Sequence, residues 1–301
     1  MYKQRDKSKM FKLCNWIDES KLRDSLSENP RAVKYLEHHP DKIDWAVLSL
    51  NPEAIYLLQA NQDKIHWDKL SENPDAIHLL EQNPEKIDWD YISFNPSAIH
   101  LIKDQLDKIE WMYLTINCNA MELIEANLDK VPWDVLCANR SAIPLLTKNP
   151  DKIDWQTLSG NPAAIRMLEA NQDEIDWRYL SCNAAAVHLL EQNLDKIDWQ
   201  VMSAIPEAIQ LLEKNPDKID WFWLSSNPAA IHLLEANPEK IDWAMFSSNP
   251  AIFEYDYKSM VRPFKEELMA VCYHPDNMKR LIFWANQFLI KLNSLTFNIV
   301  F

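Results

Sequence analysis

The sequence predicts an all-α protein: an α-solenoid of ten 22-residue, two-helix repeats between two terminal caps. Three observations support this fold class. Tryptophan recurs every 22 residues, the residues around each Trp recur with it, and periods of about 20 to 50 residues are typical of solenoids, whose units bury their apolar faces only against neighbours. The recurring residues are Trp45, Trp67, Trp89, Trp111, Trp133, Trp155, Trp177, Trp199, Trp221 and Trp243.

Each repeat approximates Asn-Pro-x-Ala-Ile-x-Leu-Leu-Glu-x-Asn-Pro-x-Lys-Ile-Asp-Trp-x-x-Leu-Ser-x, where x varies. Ten copies fill residues 29–248. We therefore divide the chain into an N-terminal cap (1–28), the repeat domain (29–248) and a C-terminal helical cap (249–301). One elongated domain is favoured over two compact ones, because repeats stack continuously.

The first half of each repeat predicts a helix that begins after an Asn-Pro pair. In the second copy Asn51 is a suitable N-cap, and the proline after it suits the first helical position. The apolar residues from Ala54 to Leu58 then form one stripe. We expect the second Asn of the repeat, Asn61 here, to close the helix in a left-handed conformation, because the chain has a single glycine.

The second half of each repeat predicts a short helix, partly 3₁₀, that starts at an Asp cap such as Asp88. Pro132 takes the Asp position in one copy, which a helix start tolerates. Pro144 lies inside a first helix, where we expect a kink or a later start at Ser141.

The repeated Trp residues are predicted to form the buried spine of the core, because each lies at a fixed apolar position between Ile and Leu. Helix pairs stacked about 8 to 10 Å apart would extend over roughly 90 Å. We therefore expect a rod or an open superhelix of either hand. An exposed Trp platform for bases or sugars is the weaker alternative.

Charge and composition exclude several classes of function. Residues 29–248 carry 35 acidic and 18 basic residues, a charge of −17 in a chain of net charge −14, so nucleic acid is not an expected partner. No apolar stretch is long enough to span a bilayer, and the basic N-terminus lacks the apolar run of a signal peptide. Five scattered cysteines suggest neither disulfides nor zinc. We expect an intracellular protein that is not secreted.

The sequence contains no glycine-rich phosphate loop, nucleophile elbow or zinc-protease motif, so no enzyme activity, catalytic residue, metal ligand or cofactor is predicted. Outward-facing positions of the first helix vary between copies and are the candidate interaction surface: His78, His100, His188, His232, Tyr56 and Arg166. Metal binding by the four histidines is one alternative. Calcium binding by the acidic rows at Asp63 and Asp88 is another, which interleaved lysines and helix capping disfavour.

The C-terminal segment departs from the repeat. It predicts helices over 258–272 and 276–292, separated by His274-Pro275, and an apolar, strand-like end at 295–301. A closing cap is the favoured interpretation, and a surface for self-association or for a partner is the alternative.

The repeat, with Phe253-Glu-Tyr-Asp-Tyr257, Glu266-Glu-Leu-Met-Ala270 and His274-Pro275, resembles a 22-residue Asn-Pro/Trp tandem-repeat family of giant nucleocytoplasmic DNA viruses over about residues 29–283. The resemblance implies a viral origin, a location in host cytoplasm or virion, and no catalytic residues. A looser likeness to leucine-rich variant repeats, built from alternating α and 3₁₀ helices, supports the helical architecture.

These observations together predict a non-enzymatic scaffold for protein–protein interaction, whose partner is a host or viral protein. One alternative is a structural virion component or assembly factor, in which the repeats space other subunits. A second alternative is an acidic mimic of nucleic acid that occupies basic proteins, motivated by the charge of the repeats.

Overall fold

The computed structural model describes residues 11–257. Residues 13–254 form one compact unit, in which short helices recur with the 22-residue period, as predicted for an all-α repeat protein. Residues 11–12 and 255–257 belong to a second unit. Two short strands, β1 (Phe11–Leu13) and β2 (Phe253–Tyr255), pair with each other. The helices predicted at 258–272 and 276–292, and the apolar end at 295–301, lie outside the described residues.

Most repeats contain four helical segments, which we name in chain order the first turn, the Ile helix, the second turn and the Trp helix. The two turns are mostly 3₁₀ and the two helices are α-helical. Proline begins most of the turns, and its missing N–H prevents a preceding helix from continuing through it. The sequence predicted the two helices but not the second turn as a helical element.

The bounds of the segments repeat closely along the chain. The Ile helices are Val33–His38, Ile55–Ala60, Ile77–Gln82, Ile99–Ile102, Met121–Glu125, Ile143–Lys148, Ile165–Ala170, Val187–Leu190, Ile209–Lys214 and Ile231–Ala236. The Trp helices are Trp45–Leu50, Trp67–Glu72, Trp89–Ile92, Trp111–Ile116, Trp133–Leu136, Trp155–Ser159, Trp177–Leu180, Trp199–Met202, Trp221–Leu224 and Trp243–Ser248. The 3₁₀ first turns are Pro52–Ala54, Pro74–Ala76, Cys118–Ala120, Arg140–Ala142, Pro162–Ala164, Ala184–Ala186, Pro206–Ala208, Pro228–Ala230 and Pro250–Ile252. The 3₁₀ second turns are Pro40–Lys42, Gln62–Lys64, Pro84–Lys86, Pro150–Lys152, Gln172–Glu174, Leu194–Lys196, Pro216–Lys218 and Pro238–Lys240. Before the first repeat come the 3₁₀ segments Glu19–Lys21 and Asp24–Glu28.

Both predicted N-caps are confirmed. The Asn51 side chain accepts a hydrogen bond from the backbone N–H of Glu53 at the first turn. The Asp88 side chain accepts from the N–H groups of Asp90 and Tyr91 at the start of its Trp helix. Asp44, at the same position two repeats earlier, accepts from those of Ala46 and Val47. These bonds satisfy donors that a helix start otherwise leaves unpaired.

The prediction for the second Asn is wrong. Among residues 11–257 no non-glycine residue has a positive φ, and Asn61 lies at φ −133° and ψ 54°. Its backbone N–H donates to the Leu58 carbonyl, and its side-chain Nδ2 donates to the Leu57 carbonyl at 2.8 Å. The amide side chain thus pairs a carbonyl of the last helical turn without a left-handed residue.

The two unusual prolines fit the common pattern. The Trp helix after Pro132 begins at Trp133, as expected. The expected kink at Pro144 is wrong, because the Ile helix Ile143–Lys148 places this proline in its first turn, where no N–H donor is needed.

The core consists of five rows of buried residues. Each repeat contributes one residue to each row. In the second repeat these are Asn51, Ala54, Leu58, Leu70 and Ser71, all buried. Apolar and small polar residues therefore alternate in the interior, and the buried Asn and Ser need hydrogen-bond partners.

The predicted buried Trp spine is wrong. All ten repeated Trp residues are only partly buried, from Trp45 to Trp243. The spine is formed instead by the residue three positions later on the same helix, such as Leu70 after Trp67, which is fully buried. Fixed spacing identified a structural row but could not distinguish the inner from the half-covered face of so short a helix.

Hydrogen bonds from the polar core rows join each repeat to the next. Asn73 Nδ2 donates to the Ser49 carbonyl, two repeats earlier, at 2.9 Å. Ser71 Oγ donates to the Trp67 carbonyl at 2.8 Å in its own helix and accepts from the Asp88 N–H of the next repeat at 3.0 Å. The same three bonds recur along most of the chain, so the buried polar groups hold neighbouring repeats in one register.

The last repeat contacts the first. Asn29 Nδ2 donates to the carbonyls of Ser247 and Asn249, at 3.3 and 2.8 Å, as Asn51 Nδ2 donates to those of Ser27 and Asn29. The succession of repeats within residues 13–254 therefore closes on itself. The expected rod or open superhelix is wrong.

The junction is an eleventh repeat shared between the two ends of the unit. Residues 249–254 supply its first turn, with Ile252 buried in the Ala position. Residues 13–28 supply the place of its Trp helix, with Leu26 and Ser27 buried in the Leu and Ser positions. We call this the composite repeat. It explains why residues 13–28 cover the last repeat as well as the first.

Candidate interaction surfaces

The rows of the repeat lie at different distances from the centre of the closed succession. Neighbouring Trp helices and neighbouring first turns pack closely, whereas neighbouring Ile helices and second turns touch less. In a closed row of equal units, segments nearer the centre are closer together. The Trp helices and first turns therefore face inward, and the Ile helices face outward.

The four predicted histidines lie on the outward Ile helices and bridge successive repeats. His100, His188 and His232 each place Nε2 against a Glu Oε1 of the preceding repeat, at 3.0, 3.0 and 2.7 Å. His78 contacts the Gln59 side chain in the equivalent way. All four histidines are exposed.

These His contacts contribute little to stability, because exposed ion pairs are typically worth about 0 to 1 kcal/mol. Within residues 11–257 no group of three or more His, Cys, Asp or Glu side chains is arranged to hold a metal ion. The row is thus a chain of pairwise contacts between repeats that leaves one edge of each imidazole at the surface.

Tyr56 and Arg166 occupy the same outward position as the histidines in their own repeats. Both are exposed, Tyr56 at 37% of its accessible surface. The structure therefore brings all six predicted residues to one row of Ile helices, although they are spread over repeats two to ten rather than gathered in one cluster.

The inward Trp row carries a second pattern, which the sequence analysis missed. A lysine of the next repeat lies over the Trp ring, as Lys86 does over Trp67 at 4.4 Å from the ring centroid. Equivalent pairs are Lys108 over Trp89, Lys130 over Trp111, Lys196 over Trp177 and Lys240 over Trp221. Such contacts are worth about 0.5 to 1 kcal/mol at exposed sites. The constant spacing of 19 residues from Trp to Lys was the available signal.

One cavity with a volume of about 430 Å³ lies along the first turns of repeats six to nine. We call it the groove. It is lined by Arg140, Gly160, Pro162, Cys182, Asn183, Ala184, Ala185 and Glu207. Asn183 is buried and belongs to the core row, whereas Arg140 and Glu207 are exposed at the groove. The groove could not be predicted from the sequence alone, because it arises from small departures in several repeats at once.

The two cysteines of this region remain protonated thiols near neutral pH. Burial and the carboxylate of Asp198 raise the pKa of Cys182. Burial also raises the pKa of Cys137, which replaces Ser in the core row and accepts the Asp154 N–H at 3.3 Å. Because the thiolate is the nucleophilic form, neither residue is activated for covalent chemistry.

Comparison with protein-family models, curated proteins and solved structures finds no match to this chain. Among the helices of residues 11–257, none combines the length and the apolar character that crossing a bilayer requires.

Proposed function

We propose that residues 13–254 form a closed α-solenoid that binds a partner protein and has no catalytic role. The observation that carries this proposal is the contrast between buried and exposed rows. The Leu position of the Ile helix is filled only by Leu or Ile in the ten repeats, and these residues are fully buried. The outward position two residues earlier is mostly exposed and is filled by Lys34, Tyr56, His78, His100, Glu122, Pro144, Arg166, His188, Gln210 and His232.

A constant core beneath a variable surface suits recognition, because repeat proteins present extended contact area without altering their packing. The expected partner is therefore a protein that contacts several repeats at once. Host and viral proteins are both candidates under the viral origin that the sequence resemblance implies.

Affinity capture from a lysate of the cells that produce the protein, followed by mass spectrometry, tests the proposal. The full chain serves as bait beside a variant with Tyr56→Ser, His100→Ser and His188→Ser. These surface changes should alter stability by only about 0.5 kcal/mol each. We expect a protein that the wild type recovers and the variant loses. Identical recoveries from both baits would contradict a role for the outward row, and recovery of capsid proteins would favour the structural alternative.

A second candidate function is the occupation of basic proteins by an acidic surface. One position of the second turn is acidic and exposed in every repeat: Asp41, Asp63, Glu85, Asp107, Asp129, Asp151, Asp173, Asp195, Asp217 and Glu239. Binding of a lysine-rich peptide should then weaken steeply between low and high salt, since screening reduces attraction between exposed charges. Binding that persists at high salt would argue against simple charge mimicry.

A further inference from the structure

Small side chains meet at the groove. The last position of the repeat is Gly160 and Cys182 there; it is also small in four other repeats, and it holds Leu50, Glu72, Phe94 and Ile116 in the rest. Ala184 also replaces the proline that begins most first turns. The groove is therefore the place where the chain's single glycine coincides with a cysteine and an alanine in the adjoining repeats.

The backbone does not require a glycine at position 160. Gly160 lies at φ −77° and ψ −11°, a conformation open to any residue. A Cβ atom placed there would meet the Thr157 carbonyl oxygen at 3.5 Å and Tyr179 atoms at 3.8 and 3.9 Å, which are ordinary contacts. The chain's single glycine therefore provides space rather than a turn.

Opposite charges flank this space. Arg140 stands at a first-turn position that holds proline in most repeats, and Glu207 stands three repeats further along. Within the described part of the chain, neither the Arg140 guanidinium nor the Glu207 carboxylate has an ion-pair or hydrogen-bond partner. The groove thus offers a donor for an anionic group, an acceptor for a cationic group, and small neutral side chains between them.

We propose that the groove binds an extended peptide segment of the partner protein, with an acidic side chain at Arg140 and a basic side chain at Glu207. This rests on the proposed function, because it assumes that the partner is a protein. The lining of the groove comes from four successive repeats, which suits an elongated ligand such as an extended peptide. The cavity volume also lies in the range of specific ligand sites, about 300 to 1,000 Å³.

The repeats supply matched variants for the test. Gly160→Phe fills the groove with the residue that Phe94 places at the same position, and Leu50→Phe puts the same side chain at the equivalent site outside it. Arg140→Pro removes the charge and restores the usual residue of that position. A thermal melt of each variant checks that the fold is retained.

The experiment is selection of a phage-displayed random peptide library on the immobilised full chain, followed by affinity measurement of the enriched peptides on each variant. We expect enriched peptides that share an acidic residue and a basic residue at a fixed spacing. Their affinity should fall at least about tenfold on Gly160→Phe and Arg140→Pro, the loss of one charge-assisted contact, and stay unchanged on Leu50→Phe.

Failure to enrich peptides, or enriched peptides that bind all variants equally, would overturn the groove proposal. The scaffold proposal fails separately, when capture recovers no protein that depends on the outward row. A partner that is lost with the row variant but retained by Gly160→Phe would therefore support the scaffold and reject the groove.

Discussion

The junctions between consecutive repeats and the closing junction at the composite repeat contain equivalent rows of buried residues. They differ in the contacts that surround these rows. At an interior junction, Asn95 donates to the carbonyls of Ser71 and Asn73 in the two repeats before it, and one continuous chain supplies both sides. At the closing junction, Asn29 makes the equivalent bonds to residues 218 and 220 positions away in sequence. The core rows thus continue unbroken through a point where the chain itself does not.

The closing junction adds contacts that the interior lacks. Arg31 donates to the carbonyls of Pro250 and Phe253, each at 3.2 Å. Tyr35 donates to Glu19, and its ring lies 6.0 Å from that of Phe253 in an edge arrangement. These contacts join residues of segments 13–28 and 249–254 to the first repeat. Closure therefore combines the ordinary core of the repeat with extra contacts where the covalent link is missing.

The largest effect should come from the core of the composite repeat. Leu26→Ala leaves a cavity in a fully buried position and should destabilise the fold by about 2 to 5 kcal/mol. Leu136→Ala, at the equivalent interior position, should cost a similar amount. Urea unfolding of both variants measures the free energy of unfolding. A Leu26 effect below about 1 kcal/mol beside a normal Leu136 effect would mean that residues 13–28 are only a peripheral cap.

Asn29→Ala is expected to have the next largest effect. It removes the side-chain oxygen that accepts the Arg31 N–H, and it leaves the carbonyls of Ser247 and Asn249 without their buried donor. The free energy of unfolding should fall by about 1 to 3 kcal/mol. Asn139→Ala provides the interior control, because Asn139 donates to two carbonyls in the same way. Chemical denaturation should give similar losses, and a negligible loss for Asn29 alone would show that the closing bonds are dispensable.

Ile205→Asn is expected to stabilise the fold. Ile205 interrupts the Asn row and provides no side-chain cap for the turn Pro206–Ala208. An Asn at this position would cap the turn and donate to carbonyls of the two earlier repeats, as Asn139 does. The free energy of unfolding should therefore rise by about 1 kcal/mol, and the melting temperature with it. A lowered melting temperature would indicate that the packing of the Ile side chain outweighs these bonds.

A smaller effect is expected for the lysine at the closing junction. Lys21 lies 5.0 Å from the Trp243 ring centroid, as Lys86 does at 4.4 Å from that of Trp67. Lys21→Met and Lys86→Met should each lose about 0.5 to 1 kcal/mol, the value of an exposed cation–π contact. Thermal melts in low and high salt would detect it, and no loss in either variant would reduce the Lys–Trp pattern to chance proximity.

The smallest predicted effect depends on pH. Burial and the hydrogen bond to Glu19 raise the pKa of Tyr35 above its ordinary value near 10. The neutral phenol is therefore favoured in the folded state. Its contribution to the free energy of unfolding is complete below about pH 10 and is lost as the pH rises further. Wild type should lose more stability than Tyr35→Phe between pH 9 and pH 11, as followed by circular dichroism. Equal losses in both proteins would contradict this assignment.

The sequence predicted the 22-residue period, the helical class and the Asn and Asp N-caps of the helices, because each depends on residues close together in the chain. Asn51 and Asp44, for example, act on donors two or three residues away. It could not predict closure, because Asn29 and Asn249 look like ordinary members of their row until their spatial neighbours are known. The small angle between successive repeats decides whether the row closes, and no single residue encodes that angle.

The candidate surfaces divide in the same way. The outward position of His78, His100, His188 and His232 followed from the varied residues that fill it in other copies, and the four histidines are exposed on their Ile helices. The groove did not follow, because it needs Arg140, Gly160 and Glu207 to be neighbours across repeats. Departures from the repeat at these positions were the only available signal.

The central claim is that residues 13–254 close through the composite repeat. Pulsed electron paramagnetic resonance tests it directly, with spin labels at Asp24→Cys and Ala244→Cys in a chain whose five native cysteines are replaced by serine. The structure places these sites on contacting segments, since Ser25 Oγ donates to the Ala244 carbonyl at 2.5 Å. The account predicts a narrow distance distribution at roughly 20 Å, the separation of adjacent helices plus the label arms. A distribution centred near the roughly 90 Å of an open stack would contradict it.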